Sequence, residues 1–408
     1  MRLEIDTTRV LATLRRLAQF GAIGQGVCRP ALSAEDVAAR HWLVQEMAAA
    51  GLEASIDEVG NVYGRSPGVS RAILIGSHTD SVPTGGWLDG ALGVVYGLEA
   101  ARAWHLAHPD IDVGIDVISF SDEEGRFLSC LGSRAFCGEV SREQYASATS
   151  EGHAFLDVAL AQGLPDGVQA ALDPARHIAY LEAHIEQGPR LDGENLDIGV
   201  VSGIAGMQRY IVSFSGRADH AGTTPMAVRQ DAAMAAFEFA LECERRFQAL
   251  AASDSVWNIG ALTLAPGVAN VVPKLAEMTV ELRDISVGVI ASLADALVSL
   301  AQEHDGVRGV GIAIRRHGAL EPALMDGRLQ QALSTAADHA GARHRVMPSG
   351  AIHDAMVLAS RVPTAMLFVP SIDGRSHTPV ENTSEAHIAL GAKVFFDAVA
   401  QTLREHAR

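Results

Sequence analysis

The sequence is short of cysteine, of aromatic side chains and of positive charge, and it has no long apolar run. Each shortage excludes something. Four cysteines, Cys28, Cys130, Cys137 and Cys243, lie far apart in 408 residues without a CxxC pair, too sparse for a disulfide scaffold and consistent with reduced thiols in a cytoplasm. A formal charge of -17, from 32 basic against 49 acidic residues, opposes nucleic acid and anionic membrane surfaces, so neither is expected as a partner. The stretch "MRLEIDTTRVLATLRRLAQF" mixes charges through its apolar positions, unlike a signal peptide, and no later run reaches the roughly 20 residues needed to span a bilayer. The expectation is a cytoplasmic protein.

What is present is ordinary globular material, 48% hydrophobic and 20% charged. The chain is longer than one core usually serves, so two domains are expected, one of them discontinuous. "SAEDVAARHWLVQEMAAAG" reads as a helix capped by Ser33 and stopped at Gly51. "RAILIGSH" and "DVGIDVISFSDEE" read as buried strands with the helical "GALGVVYGLEAARAWHLA" between them, the βαβ pattern of an α/β sheet. Ligands bind such sheets at the carboxyl ends of the strands. His78, Asp80, Glu123 and Glu124 all fall there. Between Gln208 and about Gly318 the order becomes βαββαβ, with a helix from Pro225 and another near Val287 to His304. That order suggests an open-faced sandwich inserted as a unit at 208–318 into a domain made of 1–207 and 319–408.

Imidazole and carboxylate side chains are ligands for zinc and related divalent metals, and they must be held so that their lone pairs converge. "GSHTDSVPTGGWLDG" ends a strand at His78. Asp80 is placed to accept the other imidazole proton, and Asp89 lies in the turn before the next helix, where a carboxylate could bridge two metals. "SDEEG" sets Glu123 and Glu124 after a buried strand, one able to face the site as a ligand and one free to hold a proton. "YLEAHIEQG" places His184 in an apolar segment, and "FVPSIDGRSHTPVE" places His377 in a Gly/Ser loop. His105, His108 and His304, at helix ends, read as surface residues.

In order, GSHTDSVPTGGWLDG, SDEEGRF with LGSRAF, HIEQG, DHAGTTPM, ELRDI and FVPSIDGRSHTPVENTS resemble the hydantoinase/carbamoylase-type amidase branch of the dinuclear-metal aminoacylase and carboxypeptidase superfamily. The resemblance spans nearly the whole chain. It implies an α/β fold with a discontinuous metallopeptidase-like catalytic domain, its mixed sheet flanked by helices, plus an inserted lid and dimerisation domain. It also implies two divalent metal ions per subunit, zinc first, with manganese, cobalt or nickel as alternatives. His78, Asp89 and His184 would hold one and Asp89, Glu124 and His377 the other. Glu123 would be the general base, with Asp80 supporting His78 and His220 stabilising the oxyanion across a homodimer. Arg283, Asn270, Gln187, Met207, Gly350, Ala351 and His353 would contact a small N-carbamoyl or related N-substituted amino acid.

Two departures bear on specificity. Met207 stands where relatives usually have a glutamine, and Gln208 is one residue displaced, which on a strand reverses its face. Ile352 stands where relatives usually have glycine. The leading expectation is hydrolysis of an N-carbamoyl-L-amino acid; allantoate hydrolysis and N-acyl amino acid or dipeptide hydrolysis are the enzyme alternatives. A non-catalytic metal-dependent binding protein would have no use for Glu123.

Overall fold

The computed structural model describes residues 4–108 and 112–407. Residues 1–3 of the charged N-terminal stretch lie outside the described residues, and the helix Thr7–Leu17 follows them. The chain divides into two compact units, 1–202 with 324–408, and 203–323. The division lies at Gly203 and Ala323 rather than at Gln208 and Gly318 because the first and last strands of the inserted unit, Gly206–Ser215 and Gly311–Leu320, run further than their apolar cores suggest.

In the larger unit, four parallel strands form the centre of a mixed sheet, in the spatial order Val113–Phe120, Arg71–His78, His177–Ile185 and Thr364–Val369. Val113–Phe120 is buried at every position, as expected for a strand covered on both faces. Antiparallel strands flank this centre: Val62–Arg65 and Glu53–Ile56 on one side, Ile198–Ile204 on the other. The helices Ala34–Ala49, Ala91–Ala107 and Glu385–His406 begin after Ser33, Gly90 and Ser384, and the two serines accept N–H groups of the first turn.

The inserted unit is a four-stranded antiparallel sheet with the helices Ala232–Leu250 and Val287–His304. Along Leu275–Asp284 burial alternates, with Ala276, Met278, Val280 and Leu282 against the helices and Glu277, Thr279, Glu281 and Arg283 on the open face. The first helix starts at Ala232, not at Pro225. Asp231 caps it through Ala233 and Met234, and Met226–Val228 forms only a 3₁₀ turn. No helix of the described residues is long and apolar enough to cross a membrane.

Candidate metal centre

The four parallel strands deliver their loops to one edge of the sheet. His78 ends Arg71–His78, Glu123 and Glu124 follow Val113–Phe120, His184 lies near the end of His177–Ile185, and His377 follows Thr364–Val369. Because these strands are neighbours, residues far apart in sequence meet. Asp122, at φ 56, accepts the N–H groups of Arg126, Phe127 and Leu128 and so folds the loop that carries Glu123 and Glu124. Gly90, at φ 64, precedes the helix Ala91–Ala107, and a Cβ there would lie 2.4 Å from the His78 ring. Only glycine lets Asp89 approach His78 so closely.

Main-chain carbonyls fix both central histidines. His78 Nδ1 is 2.9 Å from the Asp80 carbonyl oxygen and His184 Nδ1 is 2.8 Å from that of Ile185. Each contact keeps the proton on Nδ1 and turns the Nε2 lone pair inward. His78 Nε2 lies 3.6 Å from Asp89 Oδ1 and 3.7 Å from Glu123 Oε2; His184 Nε2 lies 3.1 Å from Asp89 Oδ1. The other Asp89 oxygen, Oδ2, is 3.2 Å from His377 Nε2 and accepts from Gln187 Nε2 at 3.1 Å. Glu124 Oε1 is 3.6 Å from the same His377 nitrogen. Asp89 thus faces two clusters, His78–Asp89–His184 and Asp89–Glu124–His377, each with ligand atoms within 4.8 Å of one another.

The electrostatics of these clusters suit cations. Burial opposes the His78 imidazolium, yet Glu123, Asp89 and Asp80 raise it well above the usual histidine range. Burial likewise opposes the Asp89 carboxylate, but His184, His377 and His78 hold it well below its ordinary value. The hydrogen bond to Asp89 raises His377 to about 9. Burial, with Asp89 beside it, pushes Glu124 to about 7, and Glu124 Oε1 is buried with no hydrogen-bond partner. Surroundings that draw protons onto imidazoles draw divalent cations for the same reason, and binding then expels those protons. The mixed nitrogen and oxygen donor set fits zinc, manganese, cobalt or nickel. A third cluster, Glu182–His184–His353, is already satisfied from within. Glu182 accepts from Ser77, Tyr180 and the Ala355 N–H, and His353 Nε2 is 2.9 Å from Ser349 Oγ.

Two sequence assignments need correction. The Asp80 carboxylate does not orient His78: Oδ1 stands 4.0 Å from Nδ1, beyond hydrogen-bond range, and Oδ2 accepts the Glu124 N–H at 3.3 Å. The chain turns after the strand so that the Asp80 carbonyl meets the ring instead. His353 is not displayed to a substrate. It is 2% exposed, with its ring centroid 4.5 Å from that of His184, and burial holds it well below the usual histidine range, so it is a neutral buttress of that residue. In the same loop Ser349 Oγ accepts the Ala351 N–H and donates to the Ala351 carbonyl, with Gly350 exposed at the tip. The histidines read as surface residues are partly enclosed; His108, for example, stacks on Trp104.

Glu123 is 9% exposed, and burial raises its carboxyl well above the ordinary range. Its Oε1 lies 3.7 Å from Cys130 Sγ. Sequence reasoning passed over Glu381. Its Oε1 accepts the Leu88 and Asp89 N–H groups and its Oε2 the Ser376 hydroxyl, so it ties the Asp89 turn to the loop of His377. An acid four residues after a histidine in a Gly/Ser loop was the available signal.

The inserted unit holds the remaining residues. His220 bridges to Val271, and the Ala221 N–H bonds the Asn270 carbonyl, so His220 and Asn270 lie side by side. His220 Nδ1 accepts from the Gly222 and Thr223 N–H groups, which leaves Nε2 as the donor nitrogen. Met207 is the cross-strand partner of Arg283, and Gln208 of Leu282. Gln208 therefore points to the helix side, where it accepts from the Tyr210 hydroxyl. Arg283 Nε donates to Glu281 at 2.7 Å, and Arg209 binds the other oxygen of that carboxylate.

The model of Peptidase family M20/M25/M40 matches residues 74–401. The chain belongs to that family. It is 38% identical over 404 residues to an N-carbamoyl-L-amino-acid amidohydrolase of Paenarthrobacter aurescens, covering 96% of this chain and 97% of the relative. It is 35% identical over 393 residues to an allantoate amidohydrolase of Escherichia coli, covering 93% and 94%. A solved hydantoinase/carbamoylase family amidase from Burkholderia phymatum superimposes with a TM-score of 0.93 at 44% identity, covering 99% of each chain. With this likeness along its whole length, the chain is an amidohydrolase of the carbamoylase and allantoate amidohydrolase type, acting on C–N bonds in amides other than peptides.

Proposed function

We propose that the protein hydrolyses an N-carbamoyl-L-amino acid to the L-amino acid, ammonia and carbon dioxide. The observation that carries this reading is Asp89, placed with one oxygen toward His78 and His184 and the other toward His377, with Glu123 alongside. In this reading His78, Asp89 and His184 hold one divalent cation and Asp89, Glu124 and His377 the other. Cations so held supply Lewis acidity, making water acidic near neutral pH and stabilising charge on a carbonyl oxygen. Glu123, enclosed and raised above its ordinary range, takes the proton from water and returns it to the leaving nitrogen. Gln187 steadies Asp89 and His377, and Asp80 braces the Glu124 loop through its N–H. In the same reading His220 Nε2, supplied across a homodimer, is the oxyanion donor, Asn270 is a substrate contact, Arg283 is the clamp for the substrate carboxylate, and the Gly350–Ala351 loop offers backbone groups to that carboxylate.

Homodimer formation through the inserted unit belongs to the same reading. The edge strand Val256–Ala265 is exposed along most of its length, and Met234, Phe237 and Leu241 form an exposed apolar stripe on the neighbouring helix. Unpaired edges and contiguous apolar surface mark association sites. A cytoplasmic location rests on the four free thiols. Relatives named for carbamoyl amino acids and for allantoate have similar identity, so allantoate is the second reading; Met207, apolar where a polar contact would serve a ureido-rich substrate, ranks it lower. A panel of N-carbamoyl-L-amino acids, allantoate and N-acyl amino acids, with ammonia and amino acid measured separately, tests the choice. Ammonia and amino acid released together from the carbamoyl compounds are expected. Amino acid without ammonia, from acyl substrates alone, would overturn the reading.

A further inference from the structure

Behind the His78–Asp80 turn lies a group of buried charges of which only Asp80 has a role in the reading above. Arg29 and Arg40 are 2% and 0% exposed, and Asp36 and Asp80 are equally enclosed. Arg29 grips the backbone on either side of Asp80. Its Nε donates to the Thr79 carbonyl at 2.6 Å, its N–H donates to Ser81 Oγ at 2.9 Å, and its carbonyl accepts the Ser81 N–H. Its Nη1 is occupied by the carbonyls of Leu17 and Phe20. Burial lowers Arg29 only to about 10, with Asp36 and Asp80 opposing the shift, so it is charged at neutral pH.

Arg40 faces the carboxylate itself. Its Nε donates to Asp36 Oδ2 at 2.8 Å and its Nη1 to the Gly60 carbonyl, while Nη2 stands 3.8 Å from Asp80 Oδ1. Asp36 Oδ1, Arg40 Nη2 and Asp80 Oδ1 are all buried without a hydrogen-bond partner. Orphaned polar atoms of opposite charge facing each other in a core call for an explanation beyond packing. Two cations and two anions balance here, and one of the anions, Asp80, belongs to the turn that orients His78 and to the contact that holds the Glu124 N–H.

We propose that Arg40, seated beside Arg29, is a positioning residue for the metal centre, setting the orientation of Asp80 and through it the readiness of His78 and Glu124 to bind cations. This inference rests on the dinuclear reading above. Arg40 touches neither substrate nor metal; it acts through Asp80.

The test is calorimetric titration of metal-stripped protein with Zn²⁺, for the wild type, Arg40→Met, Asp80→Asn and the double variant. Wild type is expected to take up two equivalents. Arg40→Met, with its cooperative melt retained, is expected to lose about tenfold or more in affinity for at least one of them, as does Asp80→Asn. The double variant is expected to be no worse than either single one, because both act through the same carboxylate. Absorption of the Co²⁺-loaded protein gives an independent readout, since a displaced His78 changes the ligand field. Should Arg40→Met fail to fold, Arg40→Met with Asp36→Leu removes the buried pair together and carries the same expectation. Wild-type affinity and spectrum in the Arg40 variant, or losses that multiply in the double variant, would refute the inference alone. A wild type that takes up no metal would overturn the dinuclear reading and this inference with it.

Discussion

The two units of the molecule treat charge in opposite ways. The larger unit buries arginine, aspartate, glutamate and histidine throughout its interior, from Arg29, Asp36 and Arg40 to Asp116 paired with Arg176 and Glu182 under His184. Among the described residues of the inserted unit, Asp284 is the one polar side chain so enclosed, and it serves locally by capping Ser286. Taking charge out of water costs stability unless geometry repays it. Where the parallel strands end, the return on that cost is a set of fixed lone pairs; elsewhere, as at Asp116 and Arg176, it is a locked ion pair. The inserted unit has a one-sided apolar core built around Phe214, Phe239, Leu282 and Leu297, and it leaves the other face of its sheet polar. Charge organises the first unit; packing organises the second.

Four measurements can break or sharpen that contrast. The largest effect is expected from Glu123→Gln, which should lower kcat by about 10²- to 10⁴-fold while metal content and melting temperature stay near wild type. Turnover close to normal in that variant would remove Glu123 from the chemistry. Next comes Phe239→Ala in the inserted unit. Phe239 is fully buried and packs edge-on against Phe214 at a centroid distance of 5.4 Å, so the truncation should cost about 3–5 kcal/mol. The loss would be read as a lowered melting transition with metal affinity unchanged, and a fall in metal affinity would contradict the division of labour.

A smaller effect concerns protons. The Asp89 hydrogen bond raises His377 to about 9, so the metal-free protein carries a proton there at neutral pH, and a cation must displace it. Metal affinity should therefore weaken as pH falls below about 9, by about tenfold per unit for each proton released, and calorimetry in buffers of different ionisation enthalpy should count that release. An affinity flat between pH 6 and 9 would argue against His377 as a ligand. The smallest effect is expected from Arg283→Ala, an exposed-face change. It should raise KM about tenfold for carboxylate-bearing substrates and leave kcat nearly unchanged. An unaltered KM would remove Arg283 from substrate binding.

Most of the proposed centre was legible because its side chains are histidines and carboxylates at the ends of buried strands or in the turns and loops after them, and because the motifs that carry them resemble a family with a dinuclear site. On that resemblance His78, Asp89, Glu124, His184 and His377 were expected as ligands, and the fold brings them together. What was not legible came from backbone direction. Whether the carbonyl or the carboxylate of Asp80 faces His78 depends on how the chain turns after residue 78. The enclosure of His353 depends on the rings of His184 and Phe368 packing edge-on and tilted against it, contacts with no local sequence signal. The tie of Glu381 to the Asp89 turn, and the approach of Arg29 to Thr79 and of Arg40 to Asp80, join segments distant in sequence and so left no local trace beyond the spacing of Glu381 from His377.

By itself, then, the order of apolar runs and the kinds of side chain that end them determined the α/β architecture and the donor set, because burial and coordination chemistry depend on residue type and period. Tertiary structure alone decided which nitrogen of each histidine points inward, which acids are orphaned and which are satisfied, and which charges balance behind the site. Those are matters of distances between atoms whose residues lie far apart along the chain.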